Sequence, residues 1–229
     1  MSLTLYYNPF SQPSRTVLAF VRLAGIECNE KIIDLMGGET RSPEYQKLND
    51  LQTVPAIDDN GFHLGESEAI IRYLLYSTKK GEEYYPTDPK RRALVDRYMP
   101  FHHNSVRRQV SKYFIASFMD VLQGEADSLG GFTLEQARTE TEECLKKFED
   151  LYLKGKKYIS GDTISFADLY MLHELTSVSL ITDFDFSKFP QTQAFIERCL
   201  ENPIIKEVNE PVKEFPKACK ELLEKEKKQ

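Results

Sequence analysis

The order of strand and helix signals in the first third of the chain most constrains what it can fold into. Residues 3–7 (LTLYY) form a short β-rich run that stops at the turn residues Asn8 and Pro9. A mostly apolar helix follows, which Gly25 can end, and a β-branched second strand is predicted over 30–35. A helix between two strands forms a βαβ unit, so we expect these strands to be parallel.

The next fifty residues show a different order of elements. A helical turn at 44–48 precedes two short apolar runs, 54–57 and 62–64, which flank the hairpin-type turn DDNG. Ser67 is predicted to cap a third helix, whose apolar face extends towards Gly81. The first part of the chain is therefore predicted to be a mixed α/β domain of the order βαβ, then ββα.

A change of composition marks the end of this domain. Residues 79–89 (KKGEEYYPTDP) are rich in charge, glycine and proline, which is typical of a surface connection between compact units. Strand signals almost vanish beyond it, and helices are predicted over 89–118, 133–153, 165–180, 191–200 and 213–229. We predict an α/β domain over 1–79, a linker over 80–88 and an all-helical domain over 89–229.

Two of the later helices carry explicit start signals. Thr133 begins a T-x-x-Q capping box, and Ser165 begins a second box that has Asp168 at its third helical position. Asp168 is therefore interpreted as a helix cap rather than a catalytic acid. His102 and His103 are interpreted as packing residues, since adjacent helical side chains diverge by about 100° and no third metal ligand lies one turn on.

Composition excludes several classes of function. The 229 residues carry 30 basic and 36 acidic side chains, a net charge of −6, which argues against nucleic acid as a partner. No apolar run approaches the roughly 18 residues of a membrane span, and the first residues lack a basic leader, so neither a membrane partner nor a signal peptide is predicted and a cytoplasmic location is expected. The four cysteines are far apart and lack C-x-x-C spacing, so we predict reduced thiols and no metal site.

The best position for a ligand is the carboxyl end of the first strand, where the following helix directs its amino terminus outward. Ser11 supplies a hydroxyl beside unpaired helix amides at this corner, and Pro13 suits a first helical turn. This arrangement favours the binding of an anion at the amino terminus of the helix. The alternative is that Ser11 simply caps the helix.

Two further segments offer groups for a peptide-like ligand. The bond between Val54 and Pro55 can be cis and can leave the Val54 main chain free to pair with a ligand, whereas a trans proline would merely start an edge strand. Glu66 offers a carboxylate for an ammonium group, and Ser67 offers a hydroxyl and amides for a carboxylate. Together these groups fit an α-amino-acid moiety, although a serine at this position, taken alone, is more often only a helix cap.

Four segments, in this order and spacing, resemble one known family. They are SQPSR at 11–15, VPAIDDNGFHLGES at 54–67, YPTDPKRRALVDRY at 85–98 and ISFADL at 164–169. The chain resembles glutathione transferases over nearly its whole length, and the theta class more narrowly. This resemblance implies a thioredoxin-like domain that binds glutathione, followed by an all-helical domain.

The resemblance also implies roles for residues near the sulfur. Ser11 would donate a hydrogen bond to the glutathione sulfur and, with the helix terminus, lower the thiol pKa from its usual value of about 8.5. Tyr7 is the competing hydroxyl, because other classes of the family use a tyrosine in this region. Arg107 stands where theta-like enzymes place a basic residue near the sulfur, although Arg107, Arg108 and Lys112 could equally form one exposed helix face.

The contacts to the rest of glutathione follow from the same resemblance. Val54, beside Pro55, would pair its main chain with the cysteinyl unit. Glu66 would bind the γ-glutamyl ammonium and Ser67 the γ-glutamyl carboxylate, with Gln12 beside that end.

The glycyl end is where the chain departs from the theta pattern. Thr40, Arg41 and Gln52 would surround the glycyl carboxylate, with Arg41 as its cationic partner. Histidine is frequent at the position of Thr40 and lysine at that of Thr53, so weaker glutathione binding is expected. Asn104 is expected to contact the partner subunit, where relatives carry an acidic residue.

The resemblance implies an activity as well as a fold. A bound glutathione thiolate would attack small electrophiles, with reduction of organic hydroperoxides or displacement of halide as side reactions, in a cytoplasmic homodimer used for detoxification, with glutathione as co-substrate and no metal. The chain ends soon after Leu223, so a more open electrophile site is expected. The alternative is a non-catalytic module of the same fold, used for protein assembly or ligand carriage.

Overall fold

A computed structural model describes residues 3–123 and 133–226, with the backbone alone for 118–123, 181 and 222–226. Its four strands are β1 (Leu3–Tyr7), β2 (Asn29–Ile32), β3 (Ala56–Asp59) and β4 (Phe62–Leu64). Its α-helices are α1 (Gln12–Leu23), α2 (Pro43–Leu48), α3 (Ser67–Thr78), α4 (Pro89–Phe101), α5 (Arg107–Gln123), α6 (Leu134–Phe148), α7 (Phe166–Ile181), α8 (Pro190–Leu200), α9 (Pro203–Asn209) and α10 (Phe215–Glu226).

The four strands form one sheet in the order β2-β1-β3-β4. Strand β1 pairs with β2 in parallel and with β3 antiparallel, and β3 and β4 form an antiparallel hairpin. The predicted βαβ and ββα order is confirmed, and the fold class is the one expected. Strand β2 is shorter than predicted and its residues are exposed, as suits an edge strand.

The helical part of the chain follows the prediction closely. The predicted helix over 89–118 is α4 and α5, joined through a π-helical turn at His102–Val106. The predicted helix over 133–153 is α6 followed by a second π-helical turn. The final helix, α10, begins at Phe215, and residues 227–229 of the predicted span lie outside the described residues. Helix α9 was not predicted, although Asn202 caps it and Pro203 opens it.

One continuous apolar core connects the sheet to the helices. Helix α1 is buried over Gln12 and the residues 14–21, with the sheet on one side and α7 on another. Helix α7 is itself surrounded, because every described residue from Phe166 to Val178 is buried. The predicted linker over 80–88 falls between α3 and α4.

The cap assigned to Ser67 is wrong. Helix α3 has Glu66 as its cap residue and Ser67 as its first helical residue, and the Glu66 side chain makes no capping bond. Glu66 has a φ of +64°, a conformation that residues other than glycine rarely adopt. The backbone turn at Glu66, rather than a serine side chain, therefore starts α3.

Asp168 takes the capping role that its pattern indicates. Its carboxylate accepts hydrogen bonds from the Ser165 amide (2.7 Å), the Ser165 hydroxyl (2.6 Å) and the Ile159 amide (2.7 Å). Burial raises the pKa of Asp168 to about 6, against the lowering effect of these hydrogen bonds. The side chain holds the start of α7 and the preceding loop together.

Candidate active site

The loop between β1 and α1 is held by its own side chains. Asn8 donates through Nδ2 to the Ile33 carbonyl (2.9 Å) and accepts through Oδ1 from the Phe10 amide (2.8 Å). Ser11 caps α1 only weakly, because its Oγ accepts from the Ser14 amide at 3.4 Å. Ser11 is partly exposed, and within the described residues its hydroxyl donates to no acceptor. That proton is available to a ligand.

Arg15 joins the same loop to helix α7 through buried hydrogen bonds. It is fully buried, and its guanidinium donates to the carbonyls of Pro9 (3.1 Å) and Phe10 (3.0 Å). The second terminal nitrogen donates to the His173 carbonyl (2.8 Å) and to the Ser177 hydroxyl (2.7 Å), both on α7. Burial lowers the pKa of Arg15 to about 9, so the side chain is still charged at neutral pH.

The segment that leads into β3 contains main-chain groups without hydrogen bonds in the described residues. The bond between Val54 and Pro55 is cis, the first of the two alternatives left by the sequence. The preceding carbonyl, that of Thr53, accepts from the Tyr45 hydroxyl (2.7 Å) and from Asn49 Nδ2 (2.8 Å). In the described residues, neither the amide nor the carbonyl of Val54 makes a hydrogen bond. Both groups could pair with a ligand.

The start of α3 offers a carboxylate beside a hydroxyl. The Glu66 side chain is exposed and, among the described residues, forms no ion pair. Ser67 Oγ accepts a hydrogen bond from the Tyr170 hydroxyl on α7 (2.8 Å). The first amides of α3 have no partner within the helix, which favours an anion at this point.

These segments meet at one cavity of about 240 Å³ between the sheet domain and the helices. One wall, the loop wall, consists of Gln12, Pro13, Thr16, Thr53, Val54, Pro55, Glu66 and Ser67. The other, the helix wall, consists of His102, His103, Arg107, Tyr170 and Glu174. The cavity thus collects six of the predicted site residues, and Ser11 adjoins it through Gln12.

Comparison with known proteins agrees with this architecture. Residues 1–76 match the glutathione S-transferase N-terminal domain, and residues 132–203 match the C-terminal domain of the same family. The apo form of human glutathione-S-transferase T1-1 is 30% identical, over 93% of this chain and 90% of that chain, with a TM-score of 0.84. The chain belongs to the glutathione S-transferase family.

Two further structures support this membership. A human theta-class glutathione transferase in complex with the glutathione conjugate of 1-menaphthyl sulfate is 28% identical, over 97% of this chain and 92% of that chain, with a TM-score of 0.83. The unclassified glutathione S-transferase 2 from Bombyx mori is 29% identical, over 96% of this chain and 98% of that chain, with a TM-score of 0.80. The predicted resemblance to the theta class is confirmed.

Several predicted site residues of this transferase lie outside the cavity wall. Thr40 is buried, Arg41 is exposed, and Gln52 is exposed in a left-handed conformation (φ 54°). Asn104 is exposed and donates through Nδ2 to the Pro100 carbonyl of its own helix (2.9 Å). Their roles at the glycyl end and at a partner subunit stay predictions.

Tyr7 also lies away from the cavity. Its side chain is buried, and burial raises its pKa, with a further rise from Glu30 and an opposing effect of Arg22. Arg22 stands at the carboxyl-terminal end of α1, whereas Ser11 stands at the amino-terminal end. The choice of Ser11 over Tyr7 as the hydroxyl beside the sulfur stays a prediction.

The helix wall carries a charge pair that the sequence did not indicate. Arg107 donates to Glu174 Oε1 (2.7 Å), and the Ser111 hydroxyl donates to Oε2 (2.7 Å). Glu174 is 2% exposed, whereas Arg107 is 42% exposed. A buried carboxylate therefore fixes and partly neutralises the cation that faces the cavity.

The histidines belong to the cavity as well, which corrects their interpretation as packing residues alone. His102 is buried, its Nδ1 is 3.3 Å from the Tyr98 hydroxyl, and burial lowers its pKa well below the ordinary value. His103 Nε2 lies 3.1 Å from Glu68 Oε2. The spacing of His102, His103 and Arg107 along one chain segment was the available signal. Within the part of the chain that the structure describes, no group of three metal-ligating side chains occurs.

Among residues 3–123 and 133–226, none of the helices has the length and apolarity of a membrane-spanning segment.

Proposed function

We propose that this glutathione S-transferase binds glutathione in the described cavity and transfers its sulfur to small electrophiles, with the Ser11 hydroxyl stabilising the thiolate. The observation that carries the proposal is the meeting of Gln12, Val54, Glu66 and Ser67 at one cavity beside Ser11. These side chains and main-chain groups complement a γ-glutamyl-cysteinyl unit, and the Ser11 proton has no acceptor of its own in the described residues.

Each end of the ligand has a physical partner in this arrangement. The Glu66 carboxylate attracts the γ-glutamyl ammonium, and the Ser67 hydroxyl with the first α3 amides binds the γ-glutamyl carboxylate. The Val54 main chain pairs with the cysteinyl amide and carbonyl. The glycyl carboxylate extends towards Arg41, whose exposed position gives a weak, screened contact.

The chemical step needs little from the protein beyond orientation and charge stabilisation. The thiol proton leaves to solvent, and a hydrogen bond from Ser11 lowers the thiol pKa because it stabilises the ionised sulfur. The sulfur then forms a carbon–sulfur bond with the electrophilic carbon, and the leaving group departs with the electron pair of the broken bond. Arg107 at the cavity wall stabilises the negative charge that accumulates on the departing group.

An aromatic cluster next to Ser11 is the proposed electrophile site. The Phe10 ring packs edge-on against Phe215 at 5.2 Å between centroids, and Phe114 lies 5.5 Å from Phe215. These rings come from the β1–α1 loop, α5 and α10, so the start of α10 borders the sulfur position. Small apolar electrophiles suit such a surface.

A homodimer, a cytoplasmic location and a role in detoxification are parts of the same proposal. Large apolar side chains are exposed on β4, α3 and α4, at Phe62, Tyr76 and Leu94. Such side chains on neighbouring elements of one protein are typical of an interface with a second chain.

The test is an ultraviolet titration of the thiolate of bound glutathione against pH, on the wild type and on Ser11→Ala. We expect a thiol pKa below the free value of about 8.5 in the wild type and a return towards it in the variant. Turnover should fall by about 10²- to 10³-fold, the usual effect of removing one donor to a developing or stabilised anion.

Ser42→Ala is the matched control. Ser42 caps α2 through Oγ, which accepts from the Tyr45 amide (3.2 Å), and it does not line the cavity. Ser42→Ala removes a serine cap, as Ser11→Ala does, so this variant should lower the stability of the protein without changing the pKa of the glutathione thiol. Absence of glutathione binding to the wild type by calorimetry would contradict the proposal and favour the non-catalytic module.

A further inference from the structure

The two walls of the cavity touch through a hydroxyl pair. Tyr170, on the helix wall, donates to Ser67 Oγ on the loop wall at 2.8 Å, across 103 residues of sequence. The Tyr170 side chain is almost completely buried, and its ring packs against His102 (5.1 Å) and Phe166 (6.1 Å). Its orientation is therefore fixed by the helical domain rather than by α3.

The direction of this hydrogen bond follows from the chemistry of the two hydroxyls. A phenol is a better donor and a poorer acceptor than an aliphatic alcohol, because its oxygen lone pair is shared with the ring. Burial raises the pKa of Tyr170, so the phenol stays protonated at any physiological pH. Tyr170 therefore donates and Ser67 Oγ accepts.

Ser67 has one hydrogen, and this contact determines what it can do. A serine hydroxyl with no fixed donor to its oxygen could turn its hydrogen to another acceptor and present only lone pairs to a ligand. With Tyr170 donating to the oxygen, one acceptor position of Ser67 Oγ is occupied, and the Ser67 hydrogen remains for a group in the cavity that Ser67 lines. A donor prepared in this way suits a ligand carboxylate.

We propose that Tyr170 is a positioning residue for carboxylate recognition, which acts through Ser67 and makes γ-glutamyl binding depend on contact between the two domains. The proposal rests on the proposed function, because the carboxylate concerned is that of the γ-glutamyl group of glutathione. The residues predicted from sequence to bind the γ-glutamyl group all lie within the first 67 residues, and Tyr170 adds a residue of the helical domain to them. A second link, His103 to Glu68 (3.1 Å), joins the same first turn of α3 to the helical domain.

The experiment is calorimetric and kinetic titration of Tyr170→Phe with glutathione. The variant keeps the ring and its packing and removes only the hydroxyl, so the fold should be retained. We expect the Kd and KM for glutathione to rise about five- to tenfold, the effect of one hydrogen bond that orients a charged contact. The turnover number at saturating glutathione and the thiol pKa should not change, since the Ser11 end of the ligand is untouched.

Tyr113→Phe is the matched control. Tyr113 is a buried tyrosine of the helical domain whose hydroxyl contacts Asp183 (3.3 Å) and does not line the cavity. Removing this hydroxyl should leave the Kd for glutathione unchanged.

A double-mutant cycle separates positioning from packing. In a Ser67→Ala background, Tyr170→Phe should weaken glutathione binding by less than twofold, because the group on which Tyr170 acts is gone. An equal loss in both backgrounds, or no loss in either, would overturn the positioning role while the transferase function stands. A wild type that binds no glutathione would overturn both proposals, and calorimetry on the wild type alone distinguishes that case.

Discussion

The loop wall and the helix wall of the cavity are built in different ways. The loop wall owes its shape to backbone conformation, with a cis bond before Pro55, a left-handed turn at Glu66 and a weak serine cap at Ser11. The helix wall owes its shape to side chains on regular helices, where Arg107 is fixed by Glu174 and Tyr170 reaches across to α3. Main-chain geometry thus positions the groups of the loop wall that complement the ligand. Side-chain contacts from the helix wall fix the cation at Arg107 and reach the Ser67 hydroxyl.

The largest expected effect comes from cutting the residue that holds both walls. Arg15→Met leaves the carbonyls of Pro9 and Phe10 without the guanidinium that donates to them, and it removes one of the donors to the His173 carbonyl. We expect the free energy of unfolding to fall by about 3–5 kcal/mol, the range for breaking a buried charged network. Denaturant unfolding measures this loss, and turnover should fall with it because the Ser11 loop loses its support.

Arg108→Met is the control for Arg15→Met. Arg108 is exposed on α5, so its replacement should change stability by less than about 0.5 kcal/mol. If Arg15→Met unfolds at the same denaturant concentration as Arg108→Met, then Arg15 does not hold the two walls together.

A smaller effect distinguishes the two members of the charge pair on the helix wall. Arg107→Gln leaves the Glu174 carboxylate buried beside Ser111 without its close cation. We expect the free energy of unfolding to fall by about 2–3 kcal/mol, a value reduced to allow for the partial exposure of Arg107. Adding Glu174→Gln to that variant should recover part of the loss, because the buried carboxylate that lost its close cation is then neutral. The recovery is only partial, since the Glu174 carboxylate also favours the charged form of the buried Arg15. Thermal unfolding of the two single variants and the double variant measures this.

Additive losses in that cycle would contradict the interpretation of Glu174. They would mean that its carboxylate contributes through Ser111 alone and does not control the cation at the cavity.

The contrast between the walls also explains which parts could be predicted from sequence. The order of strands and helices along the chain, the individual segments of the loop wall and the caps at Thr133 and Ser165 each depend on residues close together in the chain. Turn and capping patterns report such neighbours directly. The resemblance to glutathione transferases added roles for residues that lie within these short motifs. Agreement was therefore best where structure is local.

Apart from Arg107, the helix wall was not predicted, because its contacts join residues that are far apart in the sequence. Glu174 meets Arg107 across 67 residues, and Tyr170 meets Ser67 across 103, so each contact depends on how complete helices pack. Ser67 was assigned as a cap because sequence patterns do not reveal that Glu66 adopts a positive φ. Arg15 did carry a signal, since a lone arginine among the apolar residues of a buried helix requires buried acceptors.

The smallest predicted effect concerns the second polar link between the walls. Glu68 accepts from Arg72 on its own helix (2.7 Å) and contacts His103 of the helix wall (3.1 Å). The hydrogen bond to His103, followed by those to Arg72, lowers the pKa of Glu68 against the opposing effect of burial. A lowered carboxylate pKa favours the ionised form in the folded state, so the contribution is complete above the unfolded value of about 4.3 and is lost as pH falls below it.

Glu68→Gln should therefore lower the free energy of unfolding by about 0.5–1 kcal/mol at pH 7, the usual range for a partly exposed ion pair. The difference from the wild type should shrink as the pH falls below the ordinary range of a glutamate, where the wild-type carboxylate becomes protonated. Glu44→Gln, an exposed side chain on α2, is the control and should differ from the wild type by less than about 0.5 kcal/mol at pH 7. A Glu68→Gln deficit that stays constant as the pH is lowered to 3 would show that shape rather than charge joins α3 to the helix wall at this point, and the Ser67–Tyr170 contact would then be the polar link between α3 and α7.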